Sequence, residues 1–291
     1  MKKFVYKLMK FWLALPLMFI IWAFPVRMFR MQQVDGFLQK ASSKEIVLLG
    51  DSQIQRIDPD LFDIPTWNLG NYGEHYYFTQ IKIERLLERD DKKFKALLLS
   101  IAPHNFSPVF IKLFDISTVE GKNNIRRYFY FGLNEEFFKP SDLLLPRVAR
   151  YIYFGKPEVG GFYSPDVLEE PDEGIITESL GNHYDESGRL AFEQLDYINR
   201  IVKICEENDI SLGFLTTPYH PEYTKRVEQQ YFELFEEVLK SYSHIPHANF
   251  TDYDDPSYFE DGNHLNKKGA AVISPLINEW VKENLLSAQK K

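Results

Sequence analysis

Two continuous aliphatic runs, KEIVLLG at 44–50 and FKALLLSIAP at 94–103, carry the clearest pattern in the chain. Each is short, lacks polar alternation and is stopped by Gly or Pro, as expected of a parallel strand buried on both faces. IPTWNLGNYG (64–73) reads as a short strand entering a glycine turn, ISLGFLTTP (210–218) as a strand and HANFTDY (247–253) as a short one. Between them, EHYYFTQIKIERLLERDD (74–91) places Tyr77, Ile81, Leu86 and Leu87 broadly on one helical face. SGRLAFEQLDYINRIVKICEEN (187–208) reads as a helix with Ser187 as its N-cap. PEYTKRVEQQYFELFEEVLKSY (221–242) reads as a helix with proline in its first turn. NKKGAAVISPLINEWVKENLLSAQ (266–289) starts as a helix that Gly269 and Pro275 interrupt. This alternation predicts an α/β domain with a mainly parallel sheet covered on both faces and a ligand site at the carboxyl ends of its strands. Residues 107 to about 186, with their aromatics, prolines and glycines, read as an irregular insertion with short helices near 134–152. Such excursions often shape substrate sites.

The first thirty residues follow a different pattern. Lysines at 2, 3, 7 and 10 precede an unbroken apolar run from Phe11 to Val26, and Arg27 and Arg30 follow it. The run is slightly shorter than the roughly 20 residues of a spanning helix, but Lys10 and Arg27 can snorkel and extend it. Trp12 and Trp22 suit the two interfaces. A cleaved signal peptide would need small residues after the run, where AFPVRMFRMQ is bulky and basic. The expectation is an uncleaved signal anchor over 1–36, cytoplasmic at its N-terminus, with residues 37–291 folded on the periplasmic or extracellular face. A buried core helix is the alternative.

Composition narrows the classes. The chain has 291 residues, 44% of them hydrophobic, enough for one sizeable core. A net charge of −8 argues against nucleic-acid binding. The lone Cys205 excludes an intrachain disulfide and fits a buried small hydrophobe. Neither an H-E-x-x-H pattern nor a phosphate loop appears, so no metal or cofactor is expected.

Ser52 directly follows the first predicted strand. A serine hydroxyl becomes a nucleophile only with a base in reach and a carboxylate to orient that base. Asp261 and His264, three residues apart just before the last helix, are the candidate pair. Taken alone, D-x-x-H reads as a polar loop with a helix cap. Tyr219 and His220, at another strand end, are candidates to line the pocket. His75 reads as a helix-surface residue with the cleft as alternative, and His183, His244 and His247 as ordinary loop or surface residues.

Taken together, GDS after the first strand, NLGNYG after the second and DGNHLNKKG before the last helix resemble the SGNH (GDSL-type) hydrolase superfamily, over roughly residues 44–105 and 247–280. The resemblance implies a three-layer α/β/α fold with a flavodoxin-like sheet. By it Ser52 is the nucleophile, His264 the base and Asp261 its orienter. The N–H groups of Ser52 and Gly73 and the amide of Asn105 form the oxyanion hole. Asn68 and Gly70 form the second turn, and Asp51 shapes the first. The third block departs from the family's Gly-x-Asn-Asp: the chain reads SIAPHNFSP, and His104 is the neighbour that can take over part of the role of Asn105.

The anchor, the outside location and these motifs together resemble a subgroup that works beside membrane-bound O-acyltransferases, as alginate-acetylation and teichoic-acid D-alanylation proteins do. The resemblance implies a serine esterase or O-acyltransferase acting on acyl esters, with acetyl favoured, of extracellular carbohydrate, and a membrane-bound O-acyltransferase as partner. The alternative is a non-catalytic domain of the same fold that binds glycan or docks on such an acyltransferase.

Overall fold

The computed structural model describes residues 2–134, 136–137, 157–166 and 169–287. In chain order the main elements are α1 (Lys2–Ser42), β1 (Ile46–Leu49), α2 (Ser52–Gln55), β2 (Thr66–Asn68), α3 (Tyr76–Leu87), β3 (Ala96–Ser100), α4 (Pro108–Phe114), α5 (Val119–Gly132), α6 (Glu173–His183), α7 (Glu193–Glu207), β4 (Ser211–Thr216), α8 (Pro221–Thr224), α9 (Gln229–Ser241), β5 (His247–Asn249) and α10 (Lys267–Val281). The five strands pair in parallel in the order β2-β1-β3-β4-β5, the flavodoxin-like order.

The aliphatic runs behave as two-sided strands. Val47, Leu49, Leu97, Leu99 and Phe214 face one core, shared with α3, α5, α7, α9 and the end of α1. Ile46, Leu48, Ala96, Leu98 and Leu215 face the other, against Ile54 and Ile57 and the α10 residues Ile273, Ile277 and Val281. Full burial of each such side chain is worth roughly 1.5–3 kcal/mol. The order reverses between β1 and β3, and that switch point opens the crevice for a ligand.

Several expected boundaries move. The helix expected over 187–208 begins at Glu193, because the Ser187 N–H is held by the Asp185 carboxylate (3.0 Å) in a turn. The segment 221–242 splits into α8 and α9. The Arg226 N–H closes on the Tyr223 carbonyl (3.0 Å), three residues back, and ends the first helix. Pro275 does not break α10; it sits on the exposed face of that helix. The insertion is more regular than expected, contributing α4, α5 and α6, whereas the helices expected near 134–152 fall almost wholly outside the described residues.

α1 runs unbroken through residue 36, and Val34, Leu38 and Ala41 at its end are fully buried. Among the described residues, no helix is long and apolar enough to cross a membrane.

Candidate active site

β1 is followed at once by a residue that cannot carry a side chain. Gly50 has φ +130°, and a Cβ there would lie 2.7 Å from the Cβ of Ser100 at the end of β3. The two strand ends therefore approach closely, and the chain turns at once into α2. Asp51 caps that helix, accepting the Gln53 N–H (3.0 Å), which leaves Ser52 as its first residue. At the end of β2 the Asn68 amide donates to the carbonyls of Ile54 (2.6 Å) and Ile57 (2.8 Å) and accepts from the Gly70 N–H (2.8 Å), tying the second turn to α2.

The loop before α10 supplies an imidazole. The Asp261 carboxylate accepts the N–H groups of Asn263 and His264, each at 2.9 Å, so the loop curls around it. A Ser179 hydroxyl on the Gly262 N–H (3.1 Å) fastens this loop to α6. The His264 ring then bridges the carboxylate and the hydroxyl: Nδ1 lies 2.7 Å from Asp261 Oδ2, and Nε2 lies 2.7 Å from Ser52 Oγ. Burial alone would raise Asp261. The hydrogen bond and charge of His264 and the two backbone N–H groups outweigh it and hold the carboxyl at about 2. The carboxylate thus stays ionised and holds a proton on Nδ1, leaving Nε2 to accept from the serine.

Gly73 stands beside Ser52 with φ +57°, which turns the loop after β2 into the cavity. Among the described residues, the backbone N–H groups of Ser52 and Gly73 meet no protein acceptor. Behind this turn, a fully buried Lys82 ammonium donates to the Leu69 carbonyl (2.6 Å) and pairs with the buried Glu74 carboxylate. Thr79 Oγ1 (2.8 Å) and the Tyr128 hydroxyl (2.9 Å) also donate to Glu74. The cavity over Ser52 is small, about 170 Å³, and is lined among others by Tyr72, Gly73, His104, Phe110, Leu113 and His183.

The third block departs from expectation. Asn105 is buried and does not line the cavity: its Nδ2 donates to Asp51 Oδ2 (2.6 Å), and its Oδ1 accepts from the Tyr76 hydroxyl (3.1 Å). The expected oxyanion donor is instead a support for Asp51. His104 lines the cavity, but Nε2 lies 2.5 Å from Asp51 Oδ2 and Nδ1 lies 3.0 Å from the Tyr219 hydroxyl. Burial would raise Asp51; His104, the Gln53 N–H and Asn105 hold it at about 2.

Tyr219 lies behind His104, on a separate cavity of about 430 Å³ with Thr216 and Phe235. His220 accepts the Glu222 N–H at Nδ1 (3.2 Å) and caps α8. Neither lines the Ser52 cavity. His75, expected at a helix surface, is fully buried. Its Nδ1 caps α3 by accepting the Tyr77 N–H (3.1 Å), its ring stacks on Phe114 (4.8 Å), and burial pushes it down to about 3. His183, read as an ordinary loop residue, ends α6 and lines the Ser52 cavity. The GNHYD stretch carries no motif that singles it out. Donor atoms of Glu260, Asp261 and His264 lie within 4.8 Å of one another, as a cation site would require. However, Arg56 already pairs with Glu260, and His264 Nδ1 is turned onto Asp261.

No protein-family model matches the chain, and no curated protein does. Solved structures do match at the level of overall shape. One is a GDSL-like lipase from Bacteroides thetaiotaomicron, at 12% identity and a TM-score of 0.43, covering 84% of this chain and 90% of that one. Another, from Bacteroides fragilis, is named as an acylhydrolase, at 14% identity and a TM-score of 0.43, covering 82% and 87%. A third, from Streptococcus pneumoniae, is named as a platelet activating factor, at 12% identity and a TM-score of 0.42, covering 96% and 99%.

Proposed function

We propose that this chain is a serine esterase or O-acyltransferase of the SGNH type. The carrying observation is the unbroken relay from Ser52 Oγ through His264 to Asp261 at the carboxyl edge of a parallel sheet. In the proposed reaction Ser52 Oγ bonds to the ester carbonyl carbon as its proton passes to His264 Nε2. The tetrahedral oxyanion meets the N–H groups of Ser52 and Gly73. The carbon–oxygen bond to the leaving alcohol breaks as His264 returns the proton to it. Water or a second hydroxyl then takes the acyl group from Ser52 by the same steps in reverse.

The size of the cavity supports a short acyl group, with acetyl the favoured one. At about 170 Å³ it lies below the roughly 300–1,000 Å³ of drug-sized ligand pockets. Exposed Tyr72 borders both this cavity and a groove of about 590 Å³ lined by Gln33, Phe37, Gln55, Asn71 and Glu158. Aromatic faces beside side-chain amides suit a sugar, and this supports carbohydrate as the rest of the substrate. Membrane attachment through α1 belongs to the same proposal. Met18, Ile21, Trp22, Phe24, Met28 and Phe29 are exposed on it, behind the four N-terminal lysines. Such a location would place the domain beside a membrane-bound acyltransferase.

Purified full-length protein should hydrolyse p-nitrophenyl acetate and take a fluorophosphonate on Ser52, and both should vanish in Ser52→Ala. The displaced Asn105 amide favours a second reading, a glycan-binding domain without turnover. Folded wild type that neither labels nor hydrolyses would establish that reading instead. Extraction of the protein from membranes by alkaline carbonate would end the anchor proposal.

A further inference from the structure

The oxyanion position has two backbone donors, and the side-chain amide expected as the third is bonded to Asp51. His183 is the cavity-lining imidazole with a nitrogen left over. Its Nδ1 lies 2.7 Å from the hydroxyl of buried Tyr223, whereas no protein partner is found for Nε2 among the described residues. His264 and His104 already have both ring nitrogens engaged.

We propose that His183 is a catalytic residue, its Nε2–H held toward the cavity by Tyr223 as the third donor to the substrate carbonyl oxygen. This inference rests on the esterase reading above. A neutral imidazole has one N–H, and a phenol that donates to Nδ1 forces that proton onto Nε2. Tyr223 keeps its proton, because burial raises it well above the ordinary value; its hydroxyl also bonds the Tyr184 hydroxyl, and in the proposed arrangement Tyr184 donates to it, so that the Tyr223 proton goes to Nδ1. It is itself held in place, stacked on Tyr219 at 5.6 Å with the rings 9° apart. His183 is kept neutral chiefly by burial and then by His104 and His264, against the opposite pull of Asp261 and Asp51. A neutral donor suits a carbonyl oxygen that becomes negative only during the reaction. The His183 and His104 rings are 4.9 Å apart, so the donor is braced against the same wall that fixes Asp51.

The first test reads the tautomer without using activity. In full-length protein labelled with ¹⁵N-histidine, the His183 ring should carry its proton on Nε2, and Tyr223→Phe should mix the tautomers. A proton on Nδ1 in the wild type would overturn the proposal. The second test compares two replacements on p-nitrophenyl acetate. His183→Phe fills the space without a donor and should lower kcat about 10²-fold with little change in KM. His183→Gln keeps an N–H near the same place and should stay within about tenfold of wild type. Equal losses in both at unchanged Tm would show a packing role, and no loss in either would show a bystander; each outcome overturns the donor. If wild type neither turns over esters nor labels at Ser52, the esterase reading falls and takes this proposal with it. If wild type reacts but the tautomer is wrong, only the His183 proposal falls.

Discussion

Two imidazole–carboxylate pairs stand on either side of the β1 turn, and they are built for different work. His264 and Asp261 are three residues apart in one loop, and the free end of that ring reaches Ser52 Oγ. His104 and Asp51 are 53 residues apart, both almost fully buried, and the far end of that ring is closed by Tyr219. The difference lies in the hydroxyl on the second nitrogen. His264 meets Ser52, which lines the cavity beside Gly73, so a proton moved there reaches a substrate. His104 meets the buried phenol of Tyr219, outside that cavity, and ties strand ends together.

The sharpest way to break this contrast is to remove each ring. His264→Ala should lower kcat by about 10⁵-fold or more while leaving Tm near wild type, since the loop survives on the backbone contacts of Asp261. Asp261→Asn should cost about 10⁴-fold in kcat, because the amide no longer fixes the tautomer. His104→Ala should act through stability instead. It strands a buried carboxylate, and denaturant unfolding should show a loss of about 3–5 kcal/mol. If His104→Ala leaves stability intact and abolishes turnover, the two pairs do not divide the work as described.

Acid titration sharpens the comparison further. Asp51 and Asp261 are each held at about 2, below the ordinary 3.8. A carboxyl lowered in the folded state stabilises the fold above about pH 4, and that stabilisation is lost as pH falls toward about 2, on the order of 2 kcal/mol for each. Stability should begin to fall below about pH 6.5, because buried His75 and His183 stay neutral in the fold while the unfolded imidazoles take a proton, and fall further below about pH 4, where Asp261→Asn removes about half of the carboxylate part. The smallest effect is expected for Tyr219→Phe, about 1 kcal/mol of stability with turnover little changed.

Chain order made one pair readable and hid the other. The DGNH spacing places Asp261 and His264 on one turn, and the aliphatic run before Gly50 marks Ser52 as a strand-end residue, so sequence alone brings these three to a common edge. The partnership of His104 with Asp51 depends on how closely the ends of β1 and β3 approach, and nothing local to PHNF reports that distance. Asn105 misled for the same reason: its residue type suits the family role, but the nearest acceptor for its amide is the buried carboxylate. His75 looked like a surface residue because the aromatic wall that buries it, Phe114 and Tyr197, comes from distant elements. The insertion resisted reading because α5 packs on α3 and α4, and α4 on α5 and α6, partners that no local stretch of sequence reports.

The buried ammonium of Lys82 has a mechanical consequence. It holds the carbonyl of Leu69 and the carboxylate of Glu74, the two ends of the turn that presents Gly73. That turn is therefore riveted to α3 and cannot swing as an independent flap. A slide of α3 along its own axis carries the Gly73 amide with it, relative to a Ser52 seated on a different helix. α1 packs against the same α3, so the leading helix and the Gly73 amide rest on one support.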